Sequence, residues 1–474
     1  MHSSSLDFHV ILVICSPNLN FSQGDNSKKT TRKLYYDKGS KMARTEGRGA
    51  KATIIEGSRT SYSDDLRGRA PVRPAMALKL VGLAIGLFLL LFVAYFAYKA
   101  LSGTTYYVSP TGSDSNSCSH ASPCATPDHA FSIASPGDTV QVAAGTYDYG
   151  NNAAQFAKSG AVGKPITVTC AARGACKIQN SVSDNTTVVL LGGSYINFNG
   201  FEVTNTNPAG NNLGLYVTAP FVNITHNTIH HIETDCGPRG GGGIKVAEID
   251  SMNSYLHDIT IDGNLIYDIS YRDGSPSCPA STVQTDGILA QTAGTGIRIT
   301  NNIVHHTSGG WGIFVGDSNA TNNGYDIGSV ISNNTIFSTA MGGIILMSGN
   351  GTTISNNIVL NTGQLSGRCG INAPQGVAIT YANNDLWKNA GGNYCIEWGG
   401  SDQKVHSNDI SVDPALGTTF INWKADGSGD YHERAGSPTI DAGSSSVASP
   451  ASDFDGIRRP QGARHDIGAY EYPN

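Results

Sequence analysis

The stretch that decides the fold is IRITNNIVHHTSGGWGIFVG, residues 297–316. It sets a bulky apolar residue, two variable residues, Asn, one variable residue and a second bulky apolar residue in a row: Ile299, Asn302, Val304. The same pattern returns as Ile196/Asn199/Phe201, Ile224/Asn227/Ile229, Ile261/Asn264/Ile266, Ile331/Asn334/Ile336, Ile354/Asn357/Val359, Tyr381/Asn384/Leu386 and Val405/Asn408/Ile410. The steps between asparagines never fall below 23 residues and rise to 38. A floor with occasional excess is the signature of a coiled solenoid with loops inserted into some coils. No 3.6-residue period runs through these segments, and Ile, Val and Thr dominate them, so the unit is built of strands.

Recurrent Asn has a physical reason. Each coil must bend between strands, and Asn tolerates the left-handed backbone region and bonds locally to backbone. Stacked Asn side chains can also bond to one another along the axis. The eight asparagines are therefore expected to form one row. The flanking apolar residues point inward onto their equivalents roughly 4.8 Å away in the next coil.

A second repeat runs in phase. Gly followed by a bulky residue opens Gly214-Leu215, Gly243-Ile244, Gly287-Ile288, Gly312-Ile313, Gly343-Ile344 and Gly370-Ile371. Two strand signals and a third bend describe an all-β, right-handed parallel β-helix. With these repeats the chain resembles the pectate-lyase-like superfamily of secreted β-helix proteins, over roughly residues 104–474. The order YYVSPTGSDS, from Tyr106, then PGDTVQVAAGTY, from Pro136, resembles the N-terminal cap of such proteins. A short helix over 126–134, with Ala130, Phe131 and Ile133 on one side, would cover the open end of the bore.

Residues 104–150 read as the cap and residues 411–474 as the closing region. The closing runs GSPTIDAG (436–443), DFDGIRRP (453–460) and DIGAYEY (466–472) look like the C-terminal region of bacterial surface "choice-of-anchor" β-helix proteins. That resemblance implies an extracellular, surface-attached protein.

The net charge of −6 hides an asymmetry: residues 1–79 carry +7 and residues 80–474 carry −13. No basic patch of the kind nucleic acid requires occurs in the repeat region. Residues 1–75 are polar, basic and without periodicity, and read as a disordered segment; Met76 offers an alternative start. From Leu80 to Tyr98 no charged residue occurs, with Lys79 and Lys99 at either side. Residues 76–100 are thus expected to form a transmembrane or signal-anchor helix, N-terminus in the cytoplasm, with the rest extracytoplasmic, or secreted if Ala100-Leu101-Ser102 is cleaved. The chain is expected to be a monomer.

Cys15 stands alone, and eight further cysteines form an even set. We expect the pairs Cys118–Cys124, Cys170–Cys176, Cys236–Cys278 and Cys369–Cys395, although eight cysteines allow 105 connectivities. No CxxC or tight Cys/His spacing favours zinc instead.

Insertions in solenoids gather on one face, and that face usually binds. The largest excess lies between Asn227 and Asn302. It carries His230, His231, Glu233, Asp235, Arg239, Lys245, Tyr271, Arg272, Asp273 and Asp286. Stacking places His231, Asp268 and His306 in one column, and Tyr216, Lys245, Leu289 and Phe314 in another. The position before the Gly holds Asp286 and Trp311. A plain row of polar turn residues would account for the first column, since other coils hold Ser338, Asn361 and Lys388 there.

The resemblance implies a polysaccharide ligand and suggests calcium-assisted β-elimination of a uronate polymer. That chemistry needs a base for the C5 proton and a cation for the carboxylate. Lys245 is the candidate base, Arg239 or Arg272 the carboxylate partner, and His306 a further catalytic candidate. Trp311, Tyr216 and His231 are candidates for holding sugar; Glu233, Asp235, Asp273 and Asp286 are candidates for holding calcium. Lys245, Asp286, Trp311, His306 and Arg272 are expected to share a groove. A glycoside hydrolase fits less well: of the NTD, DD, GHG and RIK motifs of polygalacturonase-type enzymes only Gln284-Thr285-Asp286 is approached. A non-catalytic glycan-binding, adhesion or spacer protein is the competing class.

Overall fold

The structure, a computed structural model, describes residues 85–92 and 103–473, apart from 183–186, 206–212, 235–240, 248–255, 272–284, 292–293, 317–327, 348, 375–377, 398–404, 414–416 and 446–448. Three long parallel sheets of 11, 9 and 9 strands dominate it. One coil runs Arg298–Thr300 in the first sheet, Ile303–Thr307 in the second and Trp311–Val315 in the third. Each strand pairs in parallel with its equivalents one coil before and after, as Ile299 does with Ile261 and Ile331. The architecture is a parallel β-helix, consistent with right-handed winding.

The bore is filled by stacked apolar columns. Phe198, Ile224, Ile261, Ile299, Ile331, Ile354 and Tyr381 occupy one of them, all buried. The Gly of the second repeat is explained by close approach. A Cβ on Gly243, Gly287, Gly312 or Gly343 would lie 2.2–2.6 Å from a methyl of Ile266, Val304, Ile336 or Val359, the inward residue of the second sheet in the next coil. Only Gly lets the third sheet begin that near the second.

The asparagine row forms, with a correction at each end. Asn227, Asn264, Asn302, Asn334, Asn357 and Asn384 are fully buried. Asn302 shows the rule: its Nδ2 donates to Asn334 Oδ1 at 3.0 Å and to the Ile261 carbonyl at 2.9 Å, and its backbone N–H donates to the same Asn334 Oδ1 at 2.9 Å. Asn199 stands two places out of this register, opposite Thr225, and Phe201 fills the slot. Asn408 is one place out, and Asp409 ends the row by accepting from Asn384. The left-handed bend also belongs to the neighbouring residue: Asn301, Asn333, Asn356, Asn383 and Asn408 have φ of 53–58°. The Asn-Asn doublets thus divide the labour between turning the chain and satisfying buried polar groups.

At the N-terminal end Pro127–Ile133 is the expected helix. Ala130 and Phe131 are buried, with the Phe131 ring 5.2 Å from that of Phe156, but Ile133 is exposed. The described part of the closing region packs along the flank of the tube. Phe420, Tyr431, Phe454, Ile467 and Tyr470 cover Ile303, Phe337, Ile358 and Leu360 on the outer face of the second sheet. Its backbone accepts from the turning asparagines: Asn301 donates to Ser452, Asn333 to Asp466 and Asn383 to Ala442. Arg173, in an early coil, holds its far end: Nη1 donates to the Phe454 carbonyl at 3.1 Å, and the guanidinium lies 3.8 Å above the Phe454 ring. A fully buried Arg459–Glu471 pair, 2.6 Å apart, ties the segment together.

Disulfides join Cys118 to Cys124, Cys170 to Cys176 and Cys369 to Cys395, as expected. The Cys236–Cys278 pair lies outside the described residues. Within the apolar run 80–98, residues 85–92 form an exposed helix and the rest lie outside the described residues. No helix among the described residues is long and apolar enough to cross a membrane.

Candidate functional site

Two groups of polar side chains stand out where the coils are longest. The first lies on the third sheet. Register places Leu190, Tyr216, Lys245, Leu289, Phe314 and Ile345 in one outward column, as expected. Lys245 is half-buried, with Nζ 6.0 Å from the centroid of the Tyr216 ring. Beyond it the column turns apolar and buried: Leu289, Phe314 and Ile345 cluster with Trp311, against which Met341 and Met347 pack.

Asp286 sits at the start of its strand, fully buried. Its Oδ1 accepts from the Trp311 backbone N–H at 2.7 Å, and its Oδ2 has no hydrogen-bond partner. Burial pushes the carboxyl up to about 7, against the opposing pull of the Trp311 N–H and the nearby Lys245 ammonium. Trp311 departs from the expected exposed stacking ring. It is 3% exposed, buried in a cluster with Leu289, Phe314 and Ile345, with the Arg368 guanidinium 5.6 Å from its ring centroid. A ring covered in this way offers no face to a sugar.

The second group is the corner where the second sheet ends. His231, Asp268, His306, Ser338, Asn361 and Lys388 form the expected column, and all six have φ of 50–54°. Their immediate predecessors make a ladder of rings. His230, Tyr267, His305 and Phe337 stack with centroids 5.0, 5.2 and 4.7 Å apart and planes within 12° of parallel. At two steps an imidazole pair forms across adjacent residues: Nδ1 of His230 lies 2.7 Å from Nδ1 of His231, and Nδ1 of His305 lies 2.6 Å from Nδ1 of His306. Glu202, itself 2.8 Å from Lys177, receives Nε2 of His230 at 3.1 Å. Burial lowers the His230 pKa despite Glu202, and lowers that of His305 to about 3, helped by His306.

Outside the ring ladder a groove of about 410 Å³ opens, lined by His231, Glu233, Asp268, Ser270, His306 and Ser338 among others. Lys245, Asp286 and Trp311 do not line it, so the expected single groove is two separate surfaces. Asp235, Arg239, Arg272 and Asp273 lie outside the described residues. Sequence reasoning found His231 and His306 but gave Asp268 no role and missed Glu202. The signal for Asp268 was in the column already counted; Glu202 pairs across a coil from an unremarkable strand.

Of the calcium candidates that are described, Glu233 lines the groove and Asp286 offers an orphaned, buried carboxyl oxygen, the feature expected of a ligand atom. Among the described residues the one group of three metal-ligating side chains in mutual reach is Cys118, Cys124 and His129, and those two cysteines are joined to each other.

Comparison with known proteins now adds a family. The family described as "Pel9A-like, right handed beta helix region" matches residues 106–403. Among solved structures the chain is similar to the crystal structure of pectate lyase Pel9A, at 19% identity over 79% of this chain and 97% of that one, TM-score 0.47. It is also similar to a rhamnogalacturonan lyase, at 19% identity, 60% and 69% coverage and TM-score 0.36. An alginate lyase from Paenibacillus sp. str. FPU-7 matches at 14% identity, 65% and 98% coverage and TM-score 0.31. No curated protein sequence matches. The match over 106–403 takes in more than half of the chain and every coil from cap to last asparagine but one: this protein belongs to the Pel9A-like right-handed β-helix family.

Proposed function

We propose that this protein is an extracytoplasmic, polysaccharide-active β-helix protein that cleaves a uronate polymer by calcium-assisted β-elimination. The observation that carries the reading is Lys245. It stands half-buried on the outward column of the third sheet, between an aromatic ring and an apolar cluster, beside a buried carboxyl. A lysine accepts a proton only through its neutral amine, so that is the form in which Lys245 would act. Lys245 would take the C5 proton of a uronate lying across the column, with Tyr216 against the sugar.

The substrate carboxylate needs a cation as the C5 proton leaves. Arg239 or Arg272 would supply one; calcium, when bound, would neutralise the same charge. Asp286, with its orphaned oxygen as supporting observation, is proposed to hold it together with Asp235 and Asp273, whereas Glu233 lines the separate second-sheet groove. The −13 charge of residues 80–474 would repel a polyanion, which makes a bridging divalent cation the natural complement. Three disulfides favour an oxidising compartment. We take the apolar run 80–98 as the anchor and the chain as a monomer, with the C-terminal runs serving surface attachment.

The test is an assay of the purified protein against a panel of uronate polysaccharides, following ultraviolet absorbance of the unsaturated product with calcium and with a chelator. Calcium-dependent product that disappears in Lys245→Ala supports the proposal. Binding without product assigns the protein to the non-catalytic class, and reducing ends without unsaturation assign it to the hydrolases.

A further inference from the structure

The first sheet carries a groove of its own, on its outer face and away from both surfaces described above. It encloses about 320 Å³ and crosses successive coils. Its wall is the corner column that precedes the strands: Tyr195, Phe221, Asp258 and Gly296. Its floor is the outward column of the sheet, where Asn223, Thr260 and Arg298 follow one another in register.

The wall is strained. Tyr195 and Phe221 have φ of 56° and 59°, a backbone region that bulky side chains rarely adopt. Later coils show the relaxed solution: Gly296, Gly328 and Gly351 hold the equivalent corner at φ of 71–78°. The two aromatic residues stack instead, with ring centroids 4.4 Å apart and planes 6° from parallel. Both rings are half-buried and line the groove, and neither packs against a buried core cluster. Strain kept where glycine would serve, with no core burial in return, is the mark of a functional position.

The floor supplies hydrogen-bonding partners held in place. Exposed Asn223 donates from Nδ2 to Asn197 Oδ1 at 2.8 Å, and Asn197 Nδ2 donates in turn to Thr167 Oγ1 at 3.1 Å. This ladder orients the Asn223 amide and leaves one of its N–H donors and its Oδ1 for a ligand. Asp258, 2.8 Å from His257 Nδ1, can accept, and Arg298 can donate. One carboxylate and one guanidinium leave the groove without net charge. The strands beneath are paired in parallel on both sides, so they offer no edge to a peptide strand. Half-exposed rings beside amide, hydroxyl and balanced charged groups suit a ligand with apolar C–H faces and many hydroxyls.

We propose that the first-sheet groove from Tyr195 to Arg298 is a non-catalytic subsite for an uncharged run of sugars. It lies on a different sheet from Lys245 and does not rest on the lyase reading.

The test is affinity electrophoresis of the full-length protein, in mild detergent, through gels containing galactan, arabinan, xylan or mannan. A gel of polygalacturonate with chelator serves as the acidic arm. Retardation by at least one neutral polymer is expected, and Lys245→Ala should be retarded as strongly as the wild type. Tyr195→Gly and Arg298→Thr each put into its column a residue type that the column already holds, at Gly296 and Thr353. Each should weaken the retardation by at least about tenfold with the melting temperature kept. Arg298→Thr leaves both rings in place, so its effect on binding decides the matter even if Tyr195→Gly loosens the corner. No retardation by any neutral polymer, retardation by polygalacturonate alone, or retardation that survives both substitutions overturns the proposal.

Discussion

Two corners of the same tube use the same backbone trick for opposite ends. At the corner between the first and second sheets, a left-handed residue such as Asn301 turns the chain and Asn302 tucks inside, where every polar atom finds a partner. At the corner where the second sheet ends, His231, Asp268 and His306 turn the chain with the same φ, but their side chains face a groove. The first corner is closed and saturated; the second is open. Of these two corners, only the second presents its side chains to a cavity.

The contrast is broken most sharply by equivalent substitutions at both corners. Asn334→Ala removes the acceptor of Asn302 and the donor to Asn357 and Ile299, leaving buried groups orphaned. Each orphan costs about 1–3 kcal/mol, so denaturant unfolding should show a loss of about 3–5 kcal/mol in total. Ser338→Ala at the open corner should cost less than about 0.5 kcal/mol. Between these extremes, Lys245→Ala should lower the rate of product formation by about 10²–10⁴-fold, the range for a general base, with the melting temperature unchanged.

Buried titratable groups sharpen the comparison through pH. Burial and His306 lower His305 to about 3, so the unfolded chain takes up a proton there first. Its contribution to stability is lost as pH falls from about 6.5 toward 3. Asp286 has the opposite sign: raised to about 7, it keeps its proton in the fold while the unfolded chain loses it, so stability drops as pH rises from about 4 to 7. His305→Phe, matching Phe337 in the next coil, should flatten the acid limb of a stability–pH curve; Asp286→Asn should flatten the other. The smallest effect is expected at the out-of-register Asn408. Asn408→Gly keeps the left-handed turn and should shift the melting temperature by no more than a degree or so, whereas Asn384→Gly should lower it by several.

Much of this was legible in the residues. Period and composition gave the stacked strands, and counting along the repeats placed His231, Asp268 and His306 in one column and Tyr216, Lys245 and Leu289 in another. Register at the ends was not legible. Ile196/Asn199/Phe201 matches the pattern letter for letter, yet Phe198 is the residue that stacks on Ile224, because core packing, not the Asn, fixes the first coil. The burial of Trp311 was equally hidden, since it depends on the cluster it forms with Leu289, Phe314 and Ile345 and on the Met341 and Met347 side chains packed against that cluster. Nor could spacing show that Phe454 lies against Arg173, 281 residues away. Contacts within a column follow from the period; contacts made by segments that leave the period do not.

The measurement that bears most directly on the functional claim is the initial rate of unsaturated-product formation from a uronate polymer by wild-type protein and Lys245→Ala, each with calcium and with chelator. The account predicts product from the wild type with calcium, little with chelator, and a loss of at least about a hundredfold in the variant. Equal rates from the two proteins would contradict it.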